Sequence, residues 1–270
     1  MKDRWGYSGE IVDLLMPLAA IAADATHGNG VQGGDTPPMR EASHHRSRRQ
    51  LPDDCRRILI VGAGGFGREV LQWTRDTWPD HAPLLGGFLS DDPRRLEGFH
   101  TNVGIVSTVQ DYRPAPGDYL LLAIGVPYSR RRVAERLHAN GCRFLTLVHP
   151  LAVVADTAII GEGSIVCPFA VVSDSASLGR CVIVNYHASL GHDATAGDYA
   201  VLSPYASLGG NARIHEEAFL GLHASVGPGR SVGVRSKVSA NSCVLTTTPA
   251  DSIVYGVPGR VARRIDVTEQ

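Results

Sequence analysis

A strict six-residue period runs through the second half of the chain and constrains the fold more than any other feature. Starting at Val148, every sixth residue up to Val244 is Val, Ile or Leu at sixteen of seventeen positions, the exception being Ala196. A second column, four residues after each of the first sixteen, is Ala or Ser at fourteen of sixteen positions. An α-helix requires a period near 3.6, and an ordinary hairpin strand requires a period of two. A period of six without insertions predicts a chain that turns a corner after every short strand.

Three such strands close one triangular coil of eighteen residues, so the period predicts a parallel β-helix of just over five coils. The large aliphatic column stacks inside this prism, and the small column fits where the corners leave no room for bulk. Residues eighteen apart in sequence become vertical neighbours. The spacing therefore predicts which side chains meet.

Alternating strands and helices precede the repeats. The apolar run 58–61 ends at Gly62, as a buried parallel strand does, and is followed by a G-x-G-x-x-G segment and an amphipathic helix. Later runs predict strands over 84–89, 104–107, 119–124 and 143–148, with a helix over 129–140. This pattern predicts a Rossmann-like α/β domain over residues 56–147, followed by the β-helix domain over residues 148–264.

Residues 1–55 differ from the rest of the chain. They are rich in Gly and Pro and end in a basic run, a composition that predicts a disordered extension. The apolar patch 11–23 resembles part of a signal peptide, but Asp13 interrupts it and nearby acidic residues cancel its basic ones. Secretion is therefore the less favoured alternative, and Met39 is an alternative start. We place no site in this segment.

Charge and cysteine content exclude several classes of protein. The chain has 26 Lys and Arg against 27 Asp and Glu, so its net charge gives no reason to expect nucleic acid or a membrane surface as partner. No apolar run approaches the 18 residues of a transmembrane helix. The five cysteines show no close spacing, which predicts reduced thiols in a cytoplasmic protein and no zinc site.

The first candidate site comes from the eighteen-residue spacing. Gly210 is eighteen residues after His192, so we expect the imidazole to lie directly beside a backbone N–H that no side chain shields. A neutral imidazole can take a proton from a nucleophile, and the N–H can stabilise an oxyanion. The adjacent Asp193 can fix the tautomer of the imidazole. A solvated histidine at a turn is the alternative interpretation.

The second candidate site is the glycine-rich turn over residues 62–67. Its amides and the following helix N-terminus can hold phosphate. A dinucleotide site favours an acidic residue about 20 positions further on. Here Asp91 and Asp92 lie somewhat later, at the end of a predicted second strand, where Asp91 can accept hydrogen bonds from ribose or a base. A loop that is tight only for packing is the alternative.

Taken together, the motifs resemble the sugar O- and N-acyltransferases related to bacterial PglD and to the sialic acid O-acetyltransferase NeuD. The likeness covers about residues 57–264. It rests on the order and spacing of IVGAGGFG at 60–67, GFLSDD at 87–92, AIG at 123–125, RRR at 130–132, VHP at 148–150, VN at 184–185, GHD at 191–193, GGN at 209–211 and GVPGR at 256–260.

The resemblance implies a left-handed β-helix in a cytoplasmic homotrimer, with acetyl-CoA as co-substrate lying between neighbouring copies, and a role in polysaccharide or glycan biosynthesis. It implies that the acceptor is a nucleotide-linked sugar, and it implies no metal. His192 would be the general base, Asp193 its partner and Gly210 the amide facing the thioester carbonyl. The resemblance places the sugar nucleotide at Gly64, Gly65, Phe66, Asp91, Gly125 and Asn185, and the coenzyme at Gly210, Leu222, Ala240 and Arg260.

Three departures from the family pattern lie on the sugar side. Phe66 stands where a His is common, Ser90 replaces a common Asp, and Val126 with Pro127 replaces residues that are often polar. The acceptor sugar, the choice between nitrogen and oxygen, and the choice of acetyl over another acyl group therefore stay open.

Two other classes of function stay open as alternatives. The first is a metal hydratase similar to γ-class carbonic anhydrases, with His187 and His192 as ligands and His149 or His223 as a third. The second is a non-catalytic binding protein. The glycine-rich first domain and the GVPGR ending favour acyl transfer over the hydratase.

Overall fold

The computed structural model describes residues 50–264. Most of the predicted disordered extension, residues 1–49, lies outside this range. Its last residues do not: Cys55 is buried, and Asp54 accepts hydrogen bonds from Tyr119 Oη at 2.8 Å and Arg143 Nη1 at 2.6 Å. These residues belong to the folded domain. Among the described residues, no helix is long and apolar enough to cross a bilayer.

The first domain is a five-stranded parallel sheet in the order β3-β2-β1-β4-β5. The apolar residues of β1 are fully buried because helices cover the sheet. Its elements are β1 (Arg57–Val61), α1 (Gly65–Thr77), a 3₁₀ helix (Pro79–Leu84), β2 (Leu85–Leu89), β3 (Ile105–Ser107), β4 (Asp118–Leu122), α2 (Pro127–Ala139) and β5 (Arg143–Phe144). The order reverses between β1 and β4, where ligands bind in open α/β sheets.

The predicted strand over 143–148 is wrong as a single element. The strand β5 ends at Phe144, and Leu147–Val148 forms β6, which pairs with Ile165–Val166 in the repeat region. The run reads as continuous in sequence because its two halves are buried in two different sheets.

The second domain is a parallel β-helix, which confirms the predicted architecture. Each strand that starts between residues 147 and 225 pairs in parallel with the strand three further on, at a spacing of eighteen residues. Its two-residue strands are β6 (Leu147–Val148), β7 (Val153–Val154), β8 (Ile159–Ile160), β9 (Ile165–Val166), β10 (Val171–Val172), β11 (Ser177–Leu178), β12 (Ile183–Val184), β13 (Ser189–Leu190), β14 (Thr195–Ala196), β15 (Val201–Leu202), β16 (Ser207–Leu208), β17 (Arg213–Ile214), β18 (Phe219–Leu220), β19 (Ser225–Val226), β20 (Ser231–Val232), β21 (Lys237–Val238) and β22 (Cys243–Val244), and the longer β23 (Ser252–Tyr255) and β24 (Arg260–Arg264) close it.

The strands form three faces. The first face has the order β24-β23-β21-β18-β15-β12-β9-β6, the second β22-β19-β16-β13-β10-β7, and the third β20-β17-β14-β11-β8. Inside the prism, the two columns predicted from the period form one apolar cluster of Ala, Val, Leu and Ile. The first face packs against the α/β domain, since Ile183 and Val201 share a core with Trp73.

Candidate functional site

One corner of the prism carries the predicted reaction centre. His192 and Asp193 form the turn between β13 and β14, and Gly210 and Asn211 form the turn one coil further on. The N–H of Asn211 donates to the carbonyl of His192 at 2.9 Å, which stacks the two turns. The imidazole Nδ1 lies 2.8 Å from Oδ2 of Asp193. We call this the His192 corner.

Gly210 lies directly beside the imidazole, as the eighteen-residue spacing predicts. A Cβ at Gly210 would overlap Nε2 and Cε1 of His192 and come within 3.0 Å of its Cδ2. Only glycine fits there while the imidazole keeps its position. Within residues 50–264, no acceptor contacts the Gly210 N–H. The His192 side chain is 65% exposed, so in a single chain the corner is open to solvent.

The glycines of the glycine-rich turn are of two kinds. Two are required by close backbone contacts, and two are not. Gly62 has φ +103°, and a Cβ there would meet the carbonyl oxygen of Ala123 at 2.8 Å, while a Cβ at Gly67 would overlap the backbone of Gly62. These two glycines let α1 start close to the sheet. Gly64 and Gly65 are free of such backbone contacts. They leave the start of α1 accessible.

Asp91 is partly committed to the fold. Its Oδ1 accepts a hydrogen bond from the backbone N–H of Val109 at 2.8 Å, which holds the loop after β3. The side chain is exposed at the carboxyl edge of the sheet. Oδ1 of Asp91 therefore already has a partner within the fold. Oδ2 is the oxygen left to accept a hydrogen bond from a bound nucleotide.

Three of the predicted sugar-binding residues line one cavity of about 280 Å³ between α1 and the first face of the prism. They are Phe66, Gly125 and Asn185. The Oδ1 of Asn185 accepts a hydrogen bond from the N–H of Tyr186 at 2.8 Å, so its amide nitrogen is the group left to donate. The structure thus brings together residues 60 to 120 positions apart.

The same cavity contains residues that the sequence analysis missed. Glu69, Tyr186 and Ser203 also line it. Sequence signals could have found Ser203 and Glu69. Ser203 is eighteen residues after Asn185 and so stacks on it, and Glu69 lies one helical turn after Phe66 on the same face of α1.

The predicted coenzyme residues do not meet in one chain. Leu222 and Ala240 are stacked one coil apart, as the hydrogen bond from Asn241 N–H to Leu222 O at 2.8 Å shows, and we call this the Leu222 corner. Gly210 lies at the His192 corner, across the second face. Arg260 is exposed at the start of β24.

A ladder of rings runs up the Leu222 corner. Phe169, His187, Tyr205 and His223 stack with centroid separations of 5.0, 4.8 and 4.7 Å and interplanar angles of 10° or less. All four have positive φ, between 54° and 62°. His187 is therefore held between two aromatic rings. Within the described part of one chain, no three His, Cys, Asp or Glu side chains converge on a metal-binding position.

Comparisons with known proteins point to one group. A family model for the PglD N-terminal domain matches residues 57–137. Among curated proteins, the chain is 35% identical over 116 residues to UDP-N-acetylbacillosamine N-acetyltransferase of Bacillus subtilis, a match covering 40% of this chain and 50% of the relative. The chain thus spans about half the length of the curated relatives it matches.

Solved structures match over a larger share of the chain. The acetyltransferase domain of PglB from Neisseria gonorrhoeae, in complex with acetyl coenzyme A, is 29% identical with a TM-score of 0.68, covering 77% of this chain and 99% of that one. PerB from Caulobacter crescentus, in complex with CoA and GDP-perosamine, is 25% identical with a TM-score of 0.67, covering 77% and 97%. The resemblance to PglD-related proteins is confirmed by these matches.

Proposed function

We propose that this chain, PglD-like in its first domain and in its β-helix, transfers an acetyl group from acetyl-CoA to a nucleotide-linked sugar. The observation that carries the proposal is the His192 corner. At this corner the imidazole of His192 is hydrogen-bonded to Asp193, and the unshielded backbone amide of Gly210 lies beside the ring. A base and an oxyanion donor side by side are what acyl transfer requires.

The reaction follows from these positions. With Nδ1–H of His192 donating to Asp193, Nε2 is the free base. The acceptor nitrogen or oxygen attacks the thioester carbonyl carbon and gives its proton to Nε2, while the Gly210 N–H stabilises the oxyanion. The carbon–sulfur bond then breaks, and the imidazolium returns the proton to the CoA thiolate. The products are the acetylated sugar and free CoA, and the imidazole is neutral again.

The sugar nucleotide would span the open edge of the α/β sheet and the cavity beside it. Gly64, Gly65 and Asp91 lie at the edge, where helix amides can hold phosphates. Phe66, Gly125 and Asn185 line the cavity, which suits the sugar. An amine is the favoured acceptor because the curated relatives are named as N-acetyltransferases of UDP-N-acetylbacillosamine and GDP-perosamine, and PerB was solved in complex with GDP-perosamine.

A complete site would require a neighbouring copy. The sugar cavity adjoins the Leu222 corner, whereas the base and the oxyanion donor lie at the His192 corner. If the His192 corner of one copy meets the Leu222 corner of the next, acetyl-CoA can contact Gly210 on one side and Leu222 and Ala240 on the other. Such a head-to-tail contact forms a ring of three when each copy is rotated by about 120° from the last. We propose a cytoplasmic homotrimer acting in glycan biosynthesis, with Arg260 contacting the coenzyme.

His192→Ala tests the proposal. We expect it to lower kcat about 10²–10⁴-fold, the usual contribution of a general base. Coenzyme binding should be retained because the imidazole does not hold the nucleotide of CoA. The measurement is thiol release from acetyl-CoA with UDP-, GDP- and dTDP-linked amino sugars, together with calorimetric titration of CoA. The control is His81→Ala, an exposed histidine of the 3₁₀ helix. Near-normal kcat in the His192 variant would exclude the assigned base.

A further inference from the structure

Ser203 presents a hydroxyl to the cavity beneath α1. Ser203 is only 9% exposed, and no group within residues 50–264 bonds its Oγ. A hydroxyl that faces a cavity and has no protein partner can donate to or accept from a ligand that enters it. Ser203 stacks on Asn185, whose amide nitrogen is also left to donate. The floor of the cavity therefore offers two adjacent groups for hydrogen bonds with a ligand.

Glu69 faces the same space from α1. Its carboxylate has no hydrogen-bond or ion-pair partner in the described part of the chain, although it lines the cavity. The surrounding protein atoms raise the pKa of Glu69 by desolvation, and the neighbouring charge of Arg68 opposes this. A carboxylate in this position gains most from a ligand that supplies hydrogen-bond donors.

The distribution of charge along α1 favours one orientation of a bound ligand. At the start of the helix, the guanidinium of Arg95 lies about 3.6 Å from where a Cβ of Gly64 would be, and Arg68 stacks on Phe99 at 3.5 Å. Positive charge thus surrounds the accessible glycines. Glu69 is one turn further along, where a phosphate would be repelled. These charges favour a sugar nucleotide with its phosphates toward Gly64 and its sugar toward Glu69.

We propose that Glu69 and Ser203 are specificity-determining residues that bind ring hydroxyls of the acceptor sugar. The carboxylate of Glu69 accepts from hydroxyl donors, and Ser203 Oγ completes the set from the opposite wall. This inference rests on the proposed function, because it names the part of the sugar nucleotide that the cavity selects. A site that hydrogen-bonds a substrate hydroxyl discriminates against the analogue lacking that hydroxyl. With the analogue bound, the polar group of the protein is left without a partner.

The test combines variants of the protein with analogues of the substrate. Wild type, Glu69→Gln and Ser203→Ala are assayed with a nucleotide-linked amino sugar and with the analogues lacking one ring hydroxyl each. We expect Glu69→Gln to lower kcat/KM for the parent sugar about 10–100-fold, as for a hydrogen bond to a charged group. For the analogue that lacks the hydroxyl bound by Glu69, kcat/KM should be equally low with wild type and with Glu69→Gln. The KM for acetyl-CoA should not change.

Matched controls separate this role from general damage. Glu97→Gln removes an exposed carboxylate, and Ser207→Ala removes a serine on the second face of the prism, both away from the cavity. Both should behave as wild type. If Glu69→Gln lowers kcat/KM for the parent and all deoxy analogues by the same factor, the proposed selection is wrong.

A binding measurement keeps the two proposals apart. Calorimetric titration of each variant with the sugar nucleotide alone requires no acetyl transfer. If wild type binds the sugar nucleotide but never releases CoA, the proposed transfer fails, and weaker binding by Glu69→Gln still supports the specificity role. If transfer occurs and Glu69→Gln binds as tightly as wild type, the specificity role fails alone.

Discussion

The interiors of the two domains are built by different rules. The β-helix core is built mainly from Ala, Val, Leu and Ile at a fixed spacing, with Ser164, Ser236 and Ser242 in the column of small residues, so each coil resembles the one before it. The α/β domain instead buries charged groups, Asp118 and Arg130, which particular partners hold in place. One interior is defined by a period, and the other by individual contacts.

The two domains therefore position the residues of the proposed site in different ways. In the β-helix, register alone stacks His192 beside Gly210, so the proposed site requires only two exceptional residues at one corner. In the α/β domain, the cavity and the accessible Gly64 and Gly65 depend on individual contacts that are not repeated along the chain. A change to one such contact should therefore affect a larger part of the molecule than a change at a repeated position.

Arg130 joins the two interiors. It is fully buried and donates to the carbonyls of Leu122 and Ile124 in the α/β domain and to those of Cys181 and Gly163 in the β-helix. Burial lowers the pKa of its guanidinium to about 10, so it is still charged at neutral pH.

Arg130→Ala should have the largest effect on stability. It removes the guanidinium that donates to four carbonyls, three of them in buried hydrogen bonds, so we expect a loss of about 3–5 kcal/mol in the free energy of unfolding. Arg130→Lys, with a single ammonium, should lose less. Urea unfolding followed by tryptophan fluorescence and by circular dichroism should show two separate transitions in the Ala variant. A single transition with a loss below about 1 kcal/mol would show that the domains do not depend on this residue.

Gly210→Ala tests the register of the β-helix. The new methyl group would overlap the imidazole of His192, so the imidazole must move. Displacement of a reacting group by about 1 Å can cost 10²-fold, and we expect kcat to fall about 10²–10³-fold.

The double variant provides the control for this prediction. When His192→Ala has removed the imidazole, the added methyl group has space, so Gly210→Ala should have no further effect on turnover or melting temperature. A wild-type kcat in the single Gly210→Ala variant would contradict the stacked arrangement.

The β-helix and the contact between His192 and Gly210 could be predicted from sequence because the register follows from a fixed residue spacing. Once the period was read, the contact between His192 and Gly210 followed without coordinates. The same arithmetic applied to Asn185 would have found Ser203.

The α/β side was less accessible. Glu69 lines the cavity only because α1 packs against the first face of the prism, a contact between residues far apart in sequence. The bond from Val109 to Asp91 depends on the path of a loop, and no period predicts it. The strand predicted over 143–148 failed for a related reason, since apolar residues do not show which of two cores buries them.

Asp118 is the buried acid of the α/β domain. Its carboxylate accepts hydrogen bonds from Arg57 at 2.8 and 2.6 Å, from Tyr112 Oη at 2.6 Å and from Ala115 N–H at 2.8 Å. Desolvation raises the pKa of this carboxyl, but the hydrogen bonds from Arg57, Tyr112 and Ala115 outweigh it, and the pKa is lowered overall. Because the folded pKa lies below the unfolded one, these bonds stabilise the fold above the unfolded pKa, and this stability is lost as pH falls through the folded pKa.

Asp118→Asn should therefore have the smallest effect of the three, and one that depends on pH. At pH 7 we expect a loss of about 2–3 kcal/mol in the free energy of unfolding, since the amide keeps part of the hydrogen bonding. Below the unfolded pKa of about 3.9, the difference between wild type and variant should narrow. Urea unfolding between pH 3 and 7, followed by tryptophan fluorescence, measures it, with the exposed Asp80→Asn as control. An equal difference at both ends of this range would mean that packing, and not the charge, makes this acid stabilising.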